Sequence, residues 1–241
     1  MKNGPSMPTA LKPQSGGAYE MLREEILYGD LMPGERLRVA ELNERYQLGL
    51  TPIREALMRL SSEGLVSNET NRGARVRETT MAELADLMET RRSIERLCLV
   101  RSIARGDETW EADIISAMHL LSRAELPTSP EDRATAAAWE ARHRKFHLSL
   151  VSACDSGWLL HFWSTLADHS ERYRKVRLLF HREVAANVRD LNAEHERIME
   201  AVLARDVDKA TGLMDAHLSR TEAAVARLME LDSGKMEGQP K

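Results

Sequence analysis

The stretch Thr51-Pro52-Ile53-Arg54-Glu55-Ala56-Leu57-Met58-Arg59-Leu60 decides how the first part of this chain folds. Ile53, Leu57 and Leu60 recur at helical spacing and share one apolar face, so Arg54 and Arg59 project elsewhere. Thr51 is placed to cap this helix, Pro52 to take its first position, and Glu55 to lie in the first turn. Upstream, Val39, Leu42 and Tyr46 mark a shorter helix, followed by the turn Gln47-Leu48-Gly49-Leu50. Two short helices joined by a glycine-containing turn form a helix-turn-helix, whose second helix enters the DNA major groove. Downstream, Gly64-Leu65-Val66 begins a strand, Asn71-Arg72-Gly73 turns, and Arg75-Val76-Arg77 returns. The expectation is a winged helix-turn-helix over residues 18–77, with Arg54 and Arg59 turned to bases and phosphates and Arg72 at the wing tip.

The flanks fit that core. Residues 1–17 hold three prolines and three glycines and read as a mobile arm. From Ala18, Met21, Leu22, Ile26 and Leu27 form a helical stripe that Gly29 ends, and Leu31-Met32-Pro33-Gly34 is a turn. The charge division permits DNA binding without showing it: residues 1–77 carry net +1 and the remainder net −5. A hydrophobic content of 42% beside 30% charged residues is that of a globular protein. No apolar run approaches the roughly 20 residues that cross a bilayer, and the start lacks a secretory signal, so no membrane partner and a cytoplasmic location are expected. Cys98 and Cys154 are too few for a disulfide framework and read as buried thiols.

From Met81 onward no alternating strand pattern occurs. Helices are expected at Met81–Arg105, Thr109–Ala124, Glu131–Ala153, Trp158–Phe180, Arg182–Ala204 and Val207–Leu231, with a frayed tail over 232–241. Apolar stripes with short links predict an all-α antiparallel bundle over residues 78–231. The fold class is therefore mainly α, a winged helix-turn-helix followed by a helical bundle.

The bundle carries a possible metal site. His143 and His147 are four residues apart and lie one above the other on one helix face. If the last two helices turn at Arg205-Asp206, then His195 and His217 each lie about 16 Å from that turn, side by side across the hairpin. The four imidazoles can converge on one divalent ion. Spacing alone equally allows ordinary core or surface histidines.

Enzyme motifs are missing. Arg144, Lys145 and Phe146 separate His143 from His147, so no His-Glu-x-x-His base is present. Gly-x-Ser-x-Gly and a Walker-type loop are absent. A four-histidine site also leaves little room for the open position that metal-assisted hydrolysis uses. A metal-dependent enzyme and a purely structural metal site remain the alternatives to a sensor.

Residues 18–77 resemble the winged helix-turn-helix of GntR-family bacterial transcription regulators. The matching residues are Leu31-Met-Pro-Gly-Glu-Arg-Leu37, Thr51-Pro-Ile-Arg-Glu-Ala-Leu57, Arg59-Leu60, Glu63-Gly-Leu-Val66 and Asn71-Arg-Gly73. The helical part resembles the FadR-type effector domain, the FCD domain. Its matches are Arg91-x-x-x-Glu95, Phe146-His147, Glu194-His195-x-x-Ile198, Ala204-Arg-Asp206 and His217-Leu218. His143-Arg-Lys-Phe-His147, Ser156-Gly-Trp-Leu and Glu171-Arg-Tyr-Arg174 look most like the CsiR-like branch, which controls glutarate and 4-aminobutyrate use.

The resemblance implies a homodimer on palindromic double-stranded operator DNA, controlled by a small carboxylate such as glutarate or 2-hydroxyglutarate. Thr51 and Arg54 match operator-contacting positions, with Arg38, Arg72 and Gly73 as additions. It implies a divalent metal held by His147, His195 and His217, with His143 either a fourth ligand or not coordinating. His143 stands where relatives usually carry an aspartate, which suggests a less anionic site suited to Zn²⁺ or Ni²⁺. Arg91 is the expected partner of the effector carboxylate, against an intrahelical pair with Glu95 as the plainer reading. Arg172 and Tyr173, with Arg174, are candidates for a second anchor, against a solvated face as the plainer reading.

Overall fold

The computed structural model describes residues 17–69, 73–78, 80–129, 131–179 and 190–237, with side chains at all of these except 69, 172, 174–179 and 230–237. The chain divides into two compact units. The first runs to Arg77, except that Leu27–Gly29 group with the second, which continues from Glu78.

In the first unit, helix α1 (Ala18–Tyr28) precedes strand β1 (Arg36–Leu37), helices α2 (Val39–Tyr46) and α3 (Leu50–Ser62), and strands β2 (Val66–Glu69) and β3 (Gly73–Val76). The core is Leu22, Ile26, Leu31, Leu37, Leu42, Ile53, Leu57, Leu60, Val66 and Val76, so the stripes read from α1, α2 and α3 meet. The strands form an antiparallel sheet in the order β1-β3-β2, with Arg36 opposite Arg75 and Val66 opposite Val76.

Three local features differ from the sequence reading. The two-residue strand β1 follows directly on the Pro33-Gly34 turn, too short to leave an alternating pattern. Helix α3 begins at Leu50, so Thr51 and Pro52 lie inside its first turn. Gly49, at φ +87°, is its N-cap, and its N–H donates to Asn43 Oδ1 at 2.7 Å. Asn43 thus satisfies the N–H of Gly49, while among the described residues no side chain caps the following N–H groups of α3. The returning strand starts at Gly73, two residues before the expected Arg75.

The second unit is helical: α4 (Met81–Arg105), α5 (Glu108–Ser122), α6 (Arg133–Val151), a 3₁₀ turn (Ser152–Cys154), α7 (Gly157–Leu179), α8 (Leu191–Leu203) and α9 (Val207–Glu237). Thr80, Asp107, Asp132 and Asp190 cap α4, α5, α6 and α8, each side chain accepting from an N–H three residues on. The expected start of α8 at Arg182 lies outside the described residues, and α9 continues past the expected Leu231. Leu84, Leu99, Ile114, Trp139, Phe146, Leu150, Trp163 and Val202 belong to its core.

Arg205, at φ +58° between α8 and α9, locks that hairpin to the α4–α5 link. Its guanidinium donates to Ile103 O at 2.7 Å, to Gly106 O at 2.9 Å and to Glu111. Cys98 and Cys154 are buried and free, and burial, with Cys154 next in weight, pushes the Cys98 thiol up to about 12. No described helix is long and apolar enough to cross a membrane.

Candidate functional site

The helical unit brings four histidines together. His143 and His147 come from α6, His195 from α8 and His217 from α9, and all four are buried. Each offers one ring nitrogen, and these nitrogens lie within 4.8 Å of one another. Ring centroids are 4.4 Å apart for His143 and His147, 4.7 Å for His195 and His217, and 5.3 Å for His147 and His195.

The local reasons are simple. The i, i+4 spacing puts both α6 rings on the face that also buries Phe146 and Leu150. The turn at Arg205-Asp206 lays α9 against α8, with His195 and His217 equally spaced in sequence from Asp206. The donor set suits a metal ion: four neutral imidazoles are ligands for a borderline divalent cation. A tetrahedral ion would place its nitrogens about 3.3 Å apart, so small ring movements close the site. The remaining described histidines do not join: His119 and His161 are exposed and His169 is half-buried.

Two buried carboxylates stand behind the rings. Glu194 Oε2 lies 3.1 Å from His217 Nδ1, and its other oxygen lies 3.4 Å from Arg220 Nη1. Glu140 Oε1 lies 3.9 Å from His143 Nδ1, and Trp139 stacks on the same ring at 4.7 Å. Negative charge is therefore present one contact beyond the four nitrogen donors. Sequence reading gave neither glutamate a role at the cluster, although Glu194 stands in the matched Glu194-His195 pair and Glu140 lies one helical turn before His143.

Arg91, the expected effector anchor, is buried on α4. It lies 3.7 Å from Glu95 Oε2 and donates to Ser170 Oγ. Trp163 Nε1 donates to the same Glu95 oxygen at 2.8 Å. The plainer reading of an Arg91–Glu95 pair is thus realised, but as a buried network rather than a surface pair. Tyr173 is buried on α7, and the side chains of Arg172 and Arg174 lie outside the described residues.

In the first unit, α3 turns Leu50, Thr51, Arg54, Glu55 and Met58 to solvent. The ion pairs found among the described residues leave Arg54 out. Arg59 is different: its guanidinium sits 3.6 Å over the Tyr19 ring and 3.3 Å from Glu63, which also accepts from Tyr19 Oη at 2.7 Å. This cluster occupies a side chain expected to face DNA. Arg38 is exposed and pairs with Glu41 at 2.6 Å, a contact of the kind that contributes little. Arg72 lies outside the described residues. Gly73 is exposed at φ +90°, where a Cβ would lie 3.3 Å from Leu37 O, so the backbone itself demands glycine.

A winged helix-turn-helix joined to a helical unit with a buried polyhistidine centre defines a DNA-binding regulator with a sensing domain. The comparisons agree: residues 14–76 match the gntR family of bacterial regulatory proteins and residues 86–220 match the FCD domain. The chain belongs to the GntR family of transcriptional regulators, in its FCD-containing, FadR-like group. It is 36% identical to the HTH-type transcriptional repressor GlaR of Escherichia coli over 83% of this chain and 90% of that one. It is 33% identical to the HTH-type transcriptional regulator BphR of Paraburkholderia xenovorans, covering 86% of this chain and 83% of that one. The solved structure of E. coli McbR/YncC shares the fold, with a TM-score of 0.66 at 18% identity over 88% of this chain and 96% of that one. GlaR and BphR are named regulators of transcription, and the two matched families are those of regulators, not enzymes.

Proposed function

We propose that this chain is a cytoplasmic, homodimeric repressor whose hold on a palindromic operator is set by a small carboxylate bound at a metal centre in the helical unit. The observation that carries the reading is the convergence of His143, His147, His195 and His217 within 4.8 Å inside the region matching the FCD domain. Zn²⁺ or Ni²⁺ suits four imidazole donors. His143, His147, His195 and His217 would hold the ion, which would supply a Lewis-acidic positive centre that attracts a ligand carboxylate.

Arg91 gives that ligand a buried guanidinium, with Tyr173 and Arg172 as a second anchor. A dicarboxylate such as glutarate or 2-hydroxyglutarate has a charge for each end. GlaR is named a repressor, which supports the sign of control. On the DNA side, Arg54 reads a base in the major groove. Thr51, Arg38 and the wing at Arg72 and Gly73 meet phosphate, and Arg59 contributes through the Tyr19–Glu63 cluster that holds α3. The ligand acts by binding the two arrangements of the dimer unequally, since equal affinity would shift nothing.

The test is a thermal-shift screen of dicarboxylic and hydroxy acids on metal-loaded protein, with operator binding followed by fluorescence anisotropy. The reading predicts that one such acid stabilises the protein and releases DNA. A purely structural ion predicts no change from any of them.

A further inference from the structure

We propose that Glu194 is a positioning residue for the metal centre, acting through His217 to present Nε2 of that ring to the ion. The inference rests on the reading of the histidine cluster as a metal centre. Glu194 and His217 are both buried, and Oε2 lies 3.1 Å from Nδ1. A carboxylate only accepts, so Nδ1 carries the proton and donates. The lone pair then resides on Nε2.

The carboxylate is itself held in place. Glu194 precedes His195 on α8, and neighbouring residues on a helix point about 100° apart. His195 can therefore face the cluster while Glu194 reaches across the hairpin to α9. There its second oxygen meets Arg220 Nη1 at 3.4 Å, one turn beyond His217. One side chain thus fixes the tautomer and orientation of the His217 ring and adds negative charge beside four neutral donors. A bare Glu194–Arg220 ion pair does not require that contact, since Arg220 is nearly half exposed and such pairs are worth little. Carboxylates that orient a metal-bound imidazole typically contribute about 10- to 100-fold in metal affinity.

The experiment uses the full-length protein, with Zn²⁺ affinity measured against a chromophoric chelator and the absorption spectrum of the Co²⁺-loaded form recorded in parallel. Glu194→Ala is expected to weaken Zn²⁺ binding by about 10- to 100-fold and to alter the Co²⁺ bands. Glu194→Gln, whose amide oxygen still accepts from Nδ1, is expected to lose less. If wild type binds Zn²⁺ and Glu194→Ala binds it equally well, the inference is overturned while the metal centre stands. A Gln variant as weak as the Ala variant also overturns it by assigning Glu194 to folding or charge alone. A wild-type chain that takes up no Zn²⁺ removes the metal reading and this inference together.

Discussion

His195 on α8 and His217 on α9 face each other with ring centroids 4.7 Å apart, while α6 supplies the other two rings. An ion held by all four would tie α6 to the α8–α9 hairpin and bind the folded chain alone. Such linkage contributes about 2.7 kcal/mol at a metal concentration 100-fold above Kd. At roughly 2–4 °C per kcal/mol for a domain of this size, Zn²⁺ is expected to raise Tm by about 5–11 °C. Differential scanning fluorimetry with and without chelator checks this. A chelator-insensitive Tm would contradict it.

Arg54 and Arg59 lie on the same helix but are expected to fail differently. Arg54→Ala should weaken specific operator binding by about 1–3 kcal/mol, the cost of one bidentate base contact, with Tm unchanged. Arg59→Ala removes the contacts to Tyr19 and Glu63, so its first effect should be a lower Tm. Footprints and melting curves on both variants separate the roles. An unaltered footprint for Arg54→Ala would remove it from the operator face.

Gly106 tests how the α8–α9 hairpin is anchored. A Cβ there would fall 2.0 Å from Trp110 Cε3, and Gly106 O accepts from Arg205. Gly106→Ala is expected to cost about 1–3 kcal/mol, as overpacking does. The loss should appear in thermal unfolding and in weaker metal retention together.

Tyr19 gives the first unit an alkaline limit. Burial and then its hydrogen bond to Glu63 raise the Tyr19 hydroxyl from 10.0 to about 12. The folded state therefore keeps its proton where the unfolded state has lost it. The stabilisation is complete below pH 10 and disappears as pH rises through 12. Tyr19→Phe should flatten that part of the stability profile, as measured by denaturant titration between these limits. A wild-type curve already flat there would contradict the assignment.

The legible parts of the sequence were those with a period or a count. Ile53, Leu57 and Leu60 revealed the recognition helix, and the 3.6-residue period paired His143 with His147. Equal spacing from Asp206 brought His195 opposite His217. Features that depend on contacts between elements stayed hidden. The Asn43 side chain accepts from Gly49 N–H just before α3 begins at Leu50, and Tyr19, far upstream, stacks against Arg59. The Glu194–His217 contact depends on how α8 and α9 are rotated against each other, which no spacing rule supplies. His143 alone does not show the charge balance of the cluster, because the buried carboxylates of Glu140 and Glu194 lie one contact behind the rings.

The most direct test is the metal-to-protein ratio of the purified full-length chain by elemental analysis, for wild type, His147→Ala and His195→Ala. The account predicts about one Zn²⁺ or Ni²⁺ per chain in wild type and nearly none in either variant, each retaining its helical circular dichroism. Full metal content in both variants would contradict it.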